Sequence, residues 1–163
     1  MKIIESDDHM VIADTPGCLW LFGLVFVASG TCVLLIPFTS TEWGRFALWE
    51  RAAILAIGAA HLAAGVWTVR RHAATRTELD RRVGRGTHRV RQPGARFATV
   101  TNFALSDVRF VDVRADKDSE GDPMFQLRLW LTGSQMLALQ SQPAHGEASA
   151  REHAAAIRRF LGL

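Results

Sequence analysis

The stretch AILAIGAAHLAAGVW, residues 53–67, decides how this chain folds. Every residue in it is apolar or small except His61, at its middle. It belongs to an uncharged segment covering 52–69, and a second uncharged segment covers 17–41. Read as helices, residues 19–38 and 52–69 reach about 30 Å and about 27 Å, enough to cross the hydrocarbon core of a bilayer. A chain of 163 residues has too little remaining mass to enclose two such helices on all sides. The flank argues against a signal peptide: Lys2 faces Glu5, Asp7, Asp8 and Asp14, the wrong sign for its basic leading region. The expected organisation is a tail over 1–18, a transmembrane hairpin over 19–69 and a domain over 70–163.

Charge sets the expected orientation. The loop 39–51 holds Arg45 and Arg51 opposed by Glu42 and Glu50. Between positions 70 and 96 stand nine arginines, among them Arg70, Arg71, Arg76, Arg81 and Arg82, against Glu78 and Asp80. Positive residues beside a span favour the cytoplasm, so the C-terminal part belongs there, and two crossings return the N-terminus to the same side. Trp20 and Trp67 then fall at the cytoplasmic interface and Trp43 and Trp49 at the opposite one, where amphipathic indoles prefer to lie. TEWGRFALWER, residues 41–51, reads equally as a short interfacial helix or as an extension of the second span.

The second span carries Ala52, Ala56, Ala60 and Ala64, each four residues after the last, on one helix face. Small residues let a second helix approach closely, which is how helices associate in lipid. Gly58 and Gly65 add thin places, and the first span offers Gly23, Ala28, Ser29 and Gly30. The two spans are expected to form an antiparallel hairpin; alternatively one small-residue face serves another protein. In such a hairpin His61 lies level with Ala28 and Ser29, so Ser29 or Thr31 is its expected hydrogen-bond partner. An unpaired imidazole in hydrocarbon is costly. Three roles stand open for His61: a satisfied interhelical contact, a contact with a partner subunit, or axial ligation of a haem or chlorophyll-type pigment. Cys18 and Cys32, about 21 Å apart along one helix, cannot pair.

Beyond Thr75 the pattern changes to strands. TRTELD (75–80) offers Leu79 to a core. VGRGTHRVRQPG (83–94) holds glycine and Pro-Gly turns around a short strand at 88–91. RFATVTNFAL (96–105) predicts a strand with Phe97, Thr99 and Thr101 on one face. DVRFVDVRAD (107–116) alternates Val108, Phe110 and Asp112 against Arg109, Val111 and Val113. In MFQLRLWLTGSQMLAL (124–139), Phe125, Leu127, Leu129 and Leu131 share a face, and a turn at 132–134 leads into 135–139. About six strands in succession imply an antiparallel sheet or barrel. GEASAREHAAAIRRFLGL (146–163) predicts a closing helix with Ala150, Ala154, Ile157, Phe160 and Leu161 inward and Ser149 and Glu152 as a capping box. The fold class expected is a membrane α-helical hairpin plus a small α+β domain.

This layout, with the phrase FALSDVRFVDV (103–113), resembles the pleckstrin-homology-like domains of small bacterial membrane proteins, in which an LSDI-x-x-V phrase is common. The resemblance covers about 75–163. It implies a binding or scaffolding module in the bacterial cytoplasmic (inner) membrane and brings no catalytic residues.

The remaining candidates offer little chemistry. DKDSEGD (116–122) begins like a calcium loop, but Leu127 stands where a bidentate glutamate is needed and strands flank it. His9, His72, His88, His145 and His153 are scattered, and VGRGTHRV lacks the lysine and helix of a phosphate loop. The basic run suits anionic headgroups, with Arg70, Arg71, Arg76, Arg81 and Arg82 as candidates. Nucleic acid is not expected, since no aromatic residues interleave with the arginines before Phe97. Three functions follow as expectations: a non-catalytic accessory subunit among other membrane-protein subunits, an anionic-lipid adaptor, or a pigment carrier using His61.

Overall fold

The structure, a computed structural model, describes residues 1–141 and 143–163. The chain forms two compact units, Pro16–His72 and the combination of Met1–Thr15 with Ala73–Leu163.

The first unit is helical. Helix α1 spans Gly17–Thr39 and α2 spans Leu48–Arg71, with a single 3-10 turn, Thr41–Arg45, between them. Both helices are long and apolar enough to cross a membrane, with mean hydropathies of 2.4 and 1.8. Helix α2 starts four residues earlier than its uncharged segment. The Glu50 carboxylate accepts from the Ala47 amide at 2.8 Å, so a charged residue completes the first turn rather than ending the helix. The stretch 41–51 thus divides, its first half a 3-10 turn and its second half the start of α2.

The second unit is built on antiparallel sheets. Strands β1 (Lys2–Glu5), β2 (His9–Asp14), β3 (Ala74–Asp80), β4 (Arg85–Arg91) and β5 (Thr99–Ala104) form one sheet in that order. Strands β6 (Val108–Lys117), β7 (Pro123–Leu131) and β8 (Met136–Ala138) form a second. Helix α3, Glu147–Leu161, packs on β6 and β7. Eight strands therefore stand among the described residues where about six are expected. The two additional ones come from the segment expected to be a tail. In HMVIAD, Met10 and Ile12 alternate with polar or half-buried positions and are fully buried, as one-sided burial of a strand requires. Strand β2 pairs with β3 from His9↔Asp80 to Asp14↔Thr75. The helical unit is thus inserted in the chain between two neighbouring strands of one sheet.

The core joins Met10, Ile12, Leu79 and Phe103 of the first sheet to Val111, Leu127, Leu129 and Leu131 of the second, closed by Ala154, Ile157 and Phe160 of α3. Three local expectations need correction. A register shift between Val108 and Phe110 turns Val108 inward with Val111 and leaves Phe110 half-exposed, because a bulge reverses the alternation. Strand β5 starts at Thr99, so Phe97 lies outside it, 78% exposed. Helix α3 starts at Glu147, after Gly146 in the left-handed region, so Ser149 and Glu152 lie inside it rather than at its cap.

Candidate functional site

In the helical unit the contact between α1 and α2 is a glycine seam. Gly23 and Gly30 on α1 and Gly58 and Gly65 on α2 are the buried residues of the two helices, and each pair is seven positions apart. A Cβ on Gly65 would lie 2.6 Å from the Gly23 carbonyl oxygen. One on Gly30 would lie 2.8 Å from that of Gly58 and 2.6 Å from the Leu62 amide nitrogen. The backbones touch because no side chain separates them, which is the geometry that dispersion rewards in lipid. The Trp20 indole closes one end, donating to the His72 carbonyl at 2.8 Å.

With the seam made by glycine, the four alanines are not needed in it. Ala52, Ala56, Ala60 and Ala64 all lie exposed on α2. Gly23 joins the seam, whereas Ser29 is exposed and bonds the Phe26 carbonyl of its own helix at 3.1 Å. Thr31 likewise bonds Val27 at 2.8 Å. Neither hydroxyl serves His61. Its Nδ1 lies 2.9 Å from the Ile57 carbonyl oxygen, and its ring stacks on Phe26 at 5.3 Å. A carbonyl only accepts, so Nδ1 is the donor in this contact. The equal spacing of glycines in both helices was the available signal for the seam; nothing in the sequence pointed to the Ile57 carbonyl.

The five candidate arginines have different neighbours. Arg70 and Arg71 end α2 exposed, with Arg71 over the Trp67 ring at 4.8 Å. Arg76 pairs with Glu78 at 2.7 Å. Arg82 pairs with Asp8 at 2.7 Å, and that carboxylate raises its pKa. Arg81 lies over the Phe160 ring at 4.4 Å and donates to the Arg159 carbonyl at 3.0 Å. Arg81 and Arg82 therefore tie the β3–β4 turn to α3 and to the β1–β2 turn. The chain matches no known protein-family model and no curated protein.

Two other titratable groups have clear structural partners, Asp118 and His88. Among the described residues no group of three His, Cys, Asp or Glu is placed to hold a metal ion. The Asp122 amide, with those of Glu120 and Gly121, holds the Asp118 carboxyl below its usual range, so this residue shapes the β6–β7 turn. His88, buried, shares a 2.7 Å hydrogen bond with the Thr77 hydroxyl, and burial lowers its pKa.

Proposed function

We propose that this chain is a non-catalytic accessory or scaffold subunit of a bacterial cytoplasmic membrane, with α1 and α2 crossing the bilayer and both termini in the cytoplasm. The hairpin docks against transmembrane helices of a larger complex. The β unit, read as a pleckstrin-homology-like domain, braces or recruits a partner at the cytoplasmic face. Two antiparallel sheets followed by a C-terminal helix are compatible with that domain type.

One observation carries the reading. The hairpin satisfies its own packing with glycines, yet α2 keeps a second small-residue face, Ala52 to Ala64, exposed. A lipid-facing surface has no need of small side chains, whereas a helix-facing one does. The test is affinity purification of the full chain from native membranes in mild detergent, with mass spectrometry of what accompanies it. A stoichiometric membrane protein that is lost in the Ala56→Leu/Ala60→Leu double variant supports the reading. Purification alone, or a partner indifferent to that variant, overturns it.

A second reading, an anionic-lipid adaptor, draws support from Arg70 and Arg71, exposed at the end of α2. A third draws support from His61, whose Nδ1–H on a backbone carbonyl leaves Nε2 free as a metal ligand commonly requires. A visible absorption band lost in His61→Ala is the test for a haem or chlorophyll-type pigment.

A further inference from the structure

The register of the first sheet brings a distinctive set of residues to one end. Asp14, Thr75, Val90 and Thr99 are cross-strand partners in turn, and Ala74 pairs with Arg91. The chain departs for α1 just beyond Asp14 and returns from α2 just before Ala74. The β4–β5 loop, residues 92–98, is at this same end of the sheet. It carries Arg96 and Phe97, and Arg91 precedes it. Phe97 is 78% exposed and touches the Arg96 guanidinium, 5.5 Å from its ring. Val100, half-exposed, and Arg89, its partner across the sheet, lie one step further along the outer face.

The charge at this end is uncompensated. Among the described residues Arg89, Arg91 and Arg96 form no ion pair, while the neighbouring acids are engaged. Glu78 holds Arg76, and Asp14 holds the N-terminal amine at 3.3 Å and the Ser141 hydroxyl at 2.8 Å. The opposite end is different: its β1–β2 turn carries Asp7 and Asp8, β3 ends there at Asp80, and Arg82 is spent on Asp8.

We propose that the β4–β5 loop is a membrane-contacting element, seating Phe97 in the interfacial zone of an anionic bilayer while Arg91 and Arg96 meet lipid phosphates. The inference rests on the reading of α1 and α2 as membrane-crossing. Only Thr15 and Pro16 separate β2 from α1, and only His72 and Ala73 separate α2 from β3. Connections this short hold that end of the sheet near the headgroups whenever the helices span. An aromatic ring flanked by arginines is the composition that interfaces favour. The chain connection delivers the loop to lipid, which is why a bilayer is the occupant we assign.

The experiment uses the full chain with Cys18→Ala and Cys32→Ala, carrying a fluorophore on Ala98→Cys, in nanodiscs of phosphatidylglycerol with acyl chains brominated both near the headgroup and near the chain end. Labels at Ala60→Cys on α2 and Glu120→Cys in the β6–β7 turn are controls. Bromine should quench positions 98 and 60 and spare 120. Phe97→Ser, or Arg91→Gln with Arg96→Gln, should lower quenching at 98. Each arginine contributes about fivefold to occupancy near an anionic surface, so the pair contributes about 25-fold. Replacing phosphatidylglycerol by phosphatidylcholine should act like the arginine changes. Quenching at 60 without quenching at 98 overturns the loop contact and leaves the hairpin standing. Quenching at neither overturns the membrane-crossing reading itself. Quenching at 98 that ignores the substitutions also overturns the proposal, as does a loop shielded by an acidic protein instead of lipid.

Discussion

A methyl group added at Gly30 would meet the Leu62 amide nitrogen at 2.6 Å and the Gly58 carbonyl oxygen at 2.8 Å. Both are helix backbone and cannot rotate aside, so Gly30→Ala must push α1 from α2. Overpacking of this kind costs about 1–3 kcal/mol, and thermal unfolding in detergent micelles should start at lower temperature. Ala60→Val adds more volume but on an exposed face, and should leave the same midpoint in place. Equal effects of the two would mean that the seam is elsewhere. His88 makes a different residue-level prediction. Burial lowers its pKa from 6.5, so on acidification the unfolded chain takes up the proton first. Stability of the β unit is complete above that value and falls as pH drops from 6.5 toward the lower folded pKa. Amide hydrogen exchange in β3 and β4 should accelerate through this window, and His88→Gln should flatten the dependence.

At the scale of elements, legibility followed the strength of the periodic signal. The two long helices were plain because an uncharged run of that length has few alternatives, though their ends were not. Hydropathy stopped the second at Ala52, while backbone hydrogen bonding continues to Leu48. Strand β7 was equally plain, with four inward residues at period two. Strands β1 and β2 escape a sequence reading because four acids and a lysine within 14 residues suggest a solvated tail. The signal is Met10 and Ile12, two large apolar residues at period two that are fully buried. Their burial has a measurable consequence. Met10→Ala leaves a cavity beneath the five-stranded sheet and should destabilise the β unit by about 2–5 kcal/mol. A substitution in a true tail would stay within experimental error in chemical denaturation. Phe97 is misplaced for a related reason: alternation carries the strand back to it, two residues before Thr99, and only the register of β4 with β5 shows where the strand starts. The alanine stripe lies outside the α1–α2 contact, because Gly23, Gly30, Gly58 and Gly65 already bring the two helices together.

At the scale of the whole molecule, the pairing of β2 with β3 constrains topology more tightly than charge counting does. Two strands bonded from His9↔Asp80 to Asp14↔Thr75 must be on the same side of any membrane. Whatever lies between them crosses an even number of times, and α1 and α2 supply two helices of spanning length. A single crossing would break the five-stranded sheet and expose Met10, Ile12 and Leu79, all fully buried. The sheet fixes that the two ends agree but not which side they take; the cytoplasmic side is the proposal, and it rests on the arginine excess after α2. These two arguments separate in one labelling experiment. In a chain with Cys18→Ala and Cys32→Ala, a membrane-impermeant thiol reagent applied to intact cells should label Thr41→Cys, in the 3-10 turn between the helices. It should label Glu120→Cys, in the β6–β7 turn, and Ser6→Cys, in the β1–β2 turn, only after lysis. Glu120→Cys and Ser6→Cys labelled from outside, with Thr41→Cys protected, would reverse the orientation and keep the paired strands. Labelling that separates Ser6→Cys from Glu120→Cys would contradict the β2–β3 pairing itself, and the inserted-hairpin fold with it.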